Sequence, residues 1–418
     1  MGTGGSTLAS SSIWENYRGE TASGGPVVVA VIDSGIDIFH EDFITKDGLE
    51  KKLTFDNITQ YSTLHPKSAY IYDKTGKGYY TSNVVTEVGI VETYDTNIYK
   101  SDENIYYSHG TAVASTIASS INGKGGFGVA PLAQIMFIKM DFYFNSLDVA
   151  IKYAADNGAD VINMSLGAYT ETFTDSFGYT NTGSASVATA LTSAIKYAHD
   201  RDVVVVAAAG NEDTYRKSYP ACNDGVIGVG ALEEKKSSEP AYYTNYNSDS
   251  DTSSGNNNVD VVAPGSVYTA QYPQKAAREY GSSALADSYY RQTQGTSFAS
   301  PLTAGAIALY RGAHPGDNRS KVIDELLNSC DDIGTSGWDK QYGYGRVNLT
   351  EFVNTGIAVT QVNVAPSSAT LTMTNQNPNP TIQLSASFLP TDAADEYKEG
   401  LWISDNEEVA KVYNNYYI

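Results

Sequence analysis

Cysteine is nearly absent: Cys222 and Cys330 are the only two in 418 residues. Two thiols supply neither a disulfide framework nor a zinc site, and the sequence leaves open whether they pair. Long apolar runs are missing as well. No stretch approaches the ~18 apolar residues of a membrane-spanning helix, which argues against membrane insertion. Positive charge is scarce, with 27 Lys and Arg against 48 Asp and Glu and a net charge of −21. So acidic a chain is a poor partner for nucleic acid or an anionic membrane surface. The N-terminal MGTGGS formally fits a myristoylation pattern. It lacks the basic-then-apolar order of a secretory leader. Residues 1–11 are expected to be disordered. Tyrosine is abundant instead, 32 against 12 Phe, and with the acidic charge it predicts a soluble, extracellular surface.

From Val27 the chain alternates apolar runs with helical patterns. PVVVAVID, AQIMFIKM, ADVINMSLG, DVVVVAAAGN and GVIGVGAL are short and continuously apolar, as strands buried on both faces are. TAVASTIASSI, SLDVAIKYAADNG and SASVATALTSAIKYAHDRD are helix patterns between them. Strand followed by helix, in series, predicts an α/β fold: a three-layer sandwich with a mainly parallel central sheet. Ligands in such sheets bind beyond the carboxyl ends of the strands, where Asp33, Gly167 and Asn211 fall. A Tyr- and Asp-rich segment at 44–107 and a polar stretch at 245–258 (NYNSDSDTSSGNNN) interrupt the pattern. The second contains Asp249, Asp251 and Ser253 but lacks the glycine of a calcium loop, so it reads as a solvated loop. DKTGK at 73–77 is a turn composition. After Val353 the texture becomes short alternating strands broken by Pro, Asn and Ser, as in a β-sandwich.

Three strings carry chemistry: VAVIDSGID around Asp33, HGTAVAS around His109 and GTSFASP around Ser297. An aspartate ends an apolar strand, a histidine opens a small-residue helix, and a serine opens another whose Pro301 is expected in the first turn. A carboxylate, a general base and a hydroxyl on separate rigid elements are the parts of a charge-relay hydrolase. Each also has a plain structural role. A serine at a helix start is commonly a cap, and an aspartate before Gly35 can close a turn. Gly-Asn at 210–211 suits a strand-end turn, but Asn211 also offers an amide to an oxyanion.

The order Asp, His, Ser separates this chain from α/β-hydrolases and chymotrypsin-like enzymes. Over about residues 12–355 it resembles a subtilase. That resemblance implies a serine endopeptidase with Ser297 as nucleophile, His109 as base, Asp33 as its orienting partner and Asn211 at the oxyanion. It also implies that Ser165, Leu166 and Gly167 form a substrate-pairing edge, faced by Ala208, Ala209 and Gly210. The substrates would then be extended polypeptides. Asp42 and Asn122 correspond to positions of a structural calcium site. The family's leader and propeptide pattern is missing from this sequence, and a secreted or cell-surface protein is expected.

Four departures bear on specificity and stability. Ala112 stands where relatives often have a second histidine, and the second substrate-lining segment shrinks to DFYFNS (141–146). Phe298 replaces the methionine common after the nucleophile, which predicts tolerance of peroxide. Glu212 could draw basic side chains into the pocket. Residues 356–418, from TQVNVAPSS onward, resemble part of a group 2 bacterial immunoglobulin-like domain, a candidate for cell-surface association. Two rivals stand beside the protease reading: a catalytically silent subtilase-fold binding or signalling protein, and an adhesion protein acting through the C-terminal part.

Overall fold

The computed structural model describes residues 18–21, 25–33, 36, 40, 42–43, 109–121, 125–140, 144–236, 238–253, 255–270 and 290–354. It also gives the backbone of short strands at 69–72, 78–80, 87–88, 99–100, 106–107, 361–365 and 385–389. Residues 1–11, most of 356–418 and the DKTGK segment lie outside the described residues.

The apolar runs form the strands β1 (Val28–Asp33), β2 (Gln134–Met140), β3 (Val161–Met164), β4 (Val204–Ala208) and β5 (Val226–Leu232). A sixth, β6 (Val261–Pro264), completes the parallel set. Their order across the sheet is β6-β5-β4-β3-β1-β2, every neighbouring pair parallel. Beyond β2 the backbone adds antiparallel strands at Ala69–Tyr72, Gly78–Tyr80 and Glu87–Val88. β3, β4 and β5 are buried at every residue, as their β-branched and small side chains allow when both faces are covered. Because β1 lies between β2 and β3, the winding reverses there. That reversal opens a crevice at the carboxyl ends of β1 and β3.

The longer helices are α1 (His109–Ala118), α2 (Phe144–Asp156), α3 (Thr192–His199), α4 (Thr296–Ala313) and α5 (Arg319–Asn328). Two are nearly all core. His109 is the one residue of α1 that is not buried, and Ser297 and Ala313 are the only such residues among the 18 of α4. A helix satisfies its own backbone, so an all-round apolar one can be enclosed. Close approach is enforced at Gly305, where a Cβ would sit 2.7 Å from the Val129 Cβ. α1 and α4 pack against each other, which puts both of their polar N-terminal residues at the crevice.

Two expectations need correction. Pro301 is the sixth residue of α4, not part of its first turn. There it removes the N–H that would have bonded the Ser297 carbonyl. The 245–258 stretch is not simply solvated: Asn245, Asn247, Asn257 and Asn258 are all buried, at most 2% exposed. Their carboxamides satisfy loop backbone, as when Asn247 Nδ2 donates to the Val259 carbonyl at 2.7 Å and Asn247 Oδ1 accepts the Val259 N–H at 3.0 Å. Cys222 and Cys330 are both free thiols, and burial pushes each up to about 12, well away from reactive thiolate. In the C-terminal part, Gln361–Ala365 pairs antiparallel with Ser385–Leu389.

Candidate active site

Asp33 ends β1 with its carboxylate fully buried, a costly position for a charge without compensation. His109, first residue of α1, supplies it: Nδ1 lies 2.9 Å from Asp33 Oδ1 and 3.0 Å from Oδ2. A carboxylate only accepts, so Nδ1 is the protonated nitrogen and Nε2 is left as the base. The His109 side chain is 22% exposed, and its ring lies 5.8 Å from that of Phe298, the residue after Ser297. The starts of α1 and α4 therefore lie side by side at the crevice, next to the end of β1.

Ser297 is fixed by a network that the proline creates. Its carbonyl, deprived of a helix donor by Pro301, accepts the Ser165 hydroxyl at 2.8 Å. Ser165 Oγ in turn accepts Asn163 Nδ2 at 3.1 Å, and Asn163 Oδ1 accepts the Ser300 hydroxyl at 2.7 Å. Ser165, Asn163 and Ser300 are all buried. Among the described residues the Ser297 hydroxyl itself makes only a long bond, 3.4 Å to the Ser165 carbonyl. Among the described residues its N–H, an orphan donor at the start of α4, meets no acceptor.

Asn211 is exposed, three residues beyond β4. Its Oδ1 accepts the Thr296 N–H at 2.8 Å and the Thr296 hydroxyl at 3.0 Å. Because a backbone N–H can only donate, the carboxamide orientation is decided, and Nδ2 is the group left for a ligand. Thr296 Oγ1 also accepts the Gly210 N–H at 3.1 Å. Gly295, at φ 145°, occupies backbone that only glycine adopts readily, and a Cβ there would approach the Asn211 amide.

Ser165, Leu166 and Gly167 follow β3, grading from buried through half-buried to exposed. The backbone of Leu166 and Gly167 pairs with no strand among the described residues. Ala209 is buried and Gly210, at φ 106°, is half-buried. Beneath them lies a cluster that sequence reasoning missed. Asn245 donates through Nδ2 to the Ala209 carbonyl at 2.9 Å and to Tyr169 Oη at 2.8 Å, and its Oδ1 accepts the Glu212 N–H at 3.1 Å. Glu212 Oε2 accepts the Asn211 N–H at 2.7 Å, Asn245 Nδ2 at 3.0 Å and the Tyr169 hydroxyl. Burial and the adjoining carboxylate hold the Tyr169 phenol well above its ordinary range. Glu212 thus fixes the backbone of Asn211. Thr296 was visible in the GTS string; nothing in the sequence marked Tyr169 or Asn245.

Asp42 is fully buried. Its Oδ2 accepts the Ser119 hydroxyl at 2.8 Å and its Oδ1 the Tyr290 hydroxyl at 2.7 Å. The Asp42 carbonyl accepts the Ser120 hydroxyl at 2.9 Å. Asp42 therefore anchors the start of the loop that carries Asn122, which itself lies outside the described residues. Among the described residues no cluster of three carboxylate, histidine or cysteine groups exists, and Asp42 offers carboxylate and main-chain oxygens. Calcium accepts such hard donors.

A histidine paired with a buried strand-end aspartate, close to a helix that opens with a serine, is an arrangement that serine hydrolases use. The model of the Subtilase family matches residues 24–345. Subtilisin DY of Bacillus licheniformis is 32% identical over 260 residues, 60% of this chain and 78% of that protein. Fervidolysin of Fervidobacterium pennivorans is 30% identical over 348 residues, 79% of this chain but 41% of its own length. The chain belongs to the subtilase family and is a subtilisin-like serine endopeptidase. Among solved structures, fervidolysin, a keratinolytic enzyme related to subtilisin, superposes with a TM-score of 0.56 at 24% identity, covering 86% of this chain and 47% of that one. A lanthipeptide protease superposes at 0.55 and 22% identity, covering 84% and 93%. These two likenesses speak for the fold.

Proposed function

We propose that this endopeptidase works through Asp33, His109 and Ser297. Ser297 Oγ attacks the scissile carbonyl while His109 Nε2 takes its proton. Asp33 keeps the proton of His109 on Nδ1 and stabilises the imidazolium. Asn211 Nδ2 and the Ser297 N–H receive the oxyanion. The His109 proton then goes to the leaving amine, and water hydrolyses the acyl-enzyme. The observation that carries this reading is the 2.9 Å contact of His109 Nδ1 with the buried Asp33 carboxylate. The unpaired Leu166–Gly167 edge would add a strand of substrate, with a side chain held between it and Ala209–Gly210.

The test is hydrolysis of a casein-derived peptide by the full chain and its Asp33→Asn and His109→Ala variants. Both are expected to lose at least about 10⁴ in kcat, a magnitude carried over from subtilisin. Undiminished turnover in either would refute the assignment, and an inert but folded parent would favour the silent binding protein. A calcium ion held by Asp42 and Asn122 would be structural, tying the segment after α1 to the Asp42 turn. No chemical step runs through it. Secretion is proposed in line with the extracellular protease Epr of Bacillus subtilis, 28% identical over 318 residues. No described helix is long and apolar enough to cross a membrane. The antiparallel pair at 361–365 and 385–389 supports an immunoglobulin-like segment over 356–418, and with it a division at about residue 355.

A further inference from the structure

A cavity of about 500 Å³ adjoins the reacting groups. On one side it is lined by Asn211, Gln294 and Gly295, which lead into Ser297, and on the other by Phe177, Tyr179, Tyr242 and Tyr243. No residue of Ser165–Gly167 or Ala208–Gly210 lines it, so it is distinct from the side-chain pocket proposed between those segments. An extended substrate with one side chain in that pocket and its carbonyl at Asn211 must send a following side chain to the other side of Asn211. The cavity borders Asn211 and Gly295.

Its wall is aromatic and uncharged. Phe177, Tyr179 and Tyr242 are 42%, 72% and 63% exposed, three of the seven large exposed hydrophobic side chains among the described residues. Scattered exposed aromatics mean little, but a convergent group marks a binding surface. The rings already meet edge to face, Phe177 against Tyr242 at 5.9 Å and Tyr242 against Tyr243 at 5.1 Å. The hairpin carrying two of them is held in shape. Phe173–Thr174 pairs with Thr180–Asn181, and Asp175 Oδ1 accepts the Phe177 and Tyr179 N–H groups at 3.0 and 2.8 Å. Asp175 Oδ2 accepts Asn181 Nδ2 at 3.0 Å. At the hairpin base the Arg216 guanidinium lies 4.8 Å from the Phe173 ring centroid and pairs with Glu171. A wall fixed before binding spares the ligand the cost of ordering it, and aromatic edges complement an aromatic guest.

We propose that this cavity is a subsite for an aromatic side chain on the leaving-group side of the cleaved bond, an inference that rests on the protease reading above. The experiment uses the full chain and peptides identical up to the cleaved residue. The first and second residues after the bond are varied in turn among Phe, Ala, Lys and Glu. Phe at one of the two positions is expected to exceed Ala by about tenfold or more in kcat/KM. In Phe177→Ala and in Tyr242→Ala, which sit on different segments, that ratio should fall below about threefold. The ratio is independent of how much of a variant folds. A Phe-to-Ala ratio within twofold at both positions, or equal acceptance of Lys or Glu, would overturn the proposal, as would a ratio unchanged in both variants. Fluorophosphonate labelling of the same wild-type preparation separates the two readings. A labelled enzyme without preference refutes the subsite alone, whereas no labelling and no cleavage of any peptide refutes the protease reading and the subsite with it.

Discussion

Pro301 and Ser165 form a coupled pair, and substituting both tests how the nucleophile is held. Ser165→Ala removes the donor to the Ser297 carbonyl at 2.8 Å and the acceptor of Asn163 Nδ2 at 3.1 Å. Each orphaned buried group costs about 1–3 kcal/mol. Asn163 keeps Ser300 through Oδ1, so only its amide is stranded, and about 2 kcal/mol in total is expected. In a domain of this size that lowers Tm by about 2–6 °C. Pro301→Ala restores a helix N–H facing the Ser297 carbonyl. In the double variant that N–H replaces the lost hydroxyl, and Ser165→Ala should then cost about 1 kcal/mol less than in the parent. Calorimetry on the four proteins reads the cycle. Strict additivity would refute the idea that Ser165 substitutes for the missing helix donor, as would a Ser165→Ala variant melting with the parent.

Asn211→Leu should lower kcat about 10²–10³-fold with KM little changed, the effect found for the corresponding subtilisin residue; an equal rise in KM would make Asn211 a ground-state contact instead. His199 is held down to about 4 by burial and by Arg319, so its stability contribution is complete above its ordinary 6.5 and is lost as pH falls through 4. Melting curves of parent and His199→Gln between pH 7 and 4 should show the parent losing more, and parallel curves would contradict this. Asp260, pushed up to about 7 by burial, works oppositely over that range, which is why the variant comparison is needed. Excess EDTA should lower Tm and leave the initial rate of peptide hydrolysis unchanged while the chain is folded; an unmoved Tm would exclude the calcium proposal. Hydrogen peroxide should leave activity largely intact because Phe298, buried beside His109, has no thioether to oxidise.

The parallel core was legible because strands covered on both faces must be apolar throughout, and five of its six strands stand out as such runs. β6 escaped because VVAP is short and follows a polar stretch. Asp33, His109 and Ser297 stood out because they sit at the ends of those elements, in strings of small residues. What sequence could not give was the fastening. Tyr169, Glu212 and Asn245 come from three segments distant in the chain, and no local pattern reports a hydrogen bond over 76 residues between Asn245 and Tyr169. The buried asparagines of 245–258 misled for a related reason. A polar loop folded inward to satisfy backbone has the same composition as one facing water.

The central claim is that Ser297 is an activated nucleophile, and labelling by a fluorophosphonate probe tests it most directly. The folded parent should take up one equivalent of probe, on Ser297, and Ser297→Ala none. A folded parent that stays unlabelled, or label that persists in Ser297→Ala, would contradict the account.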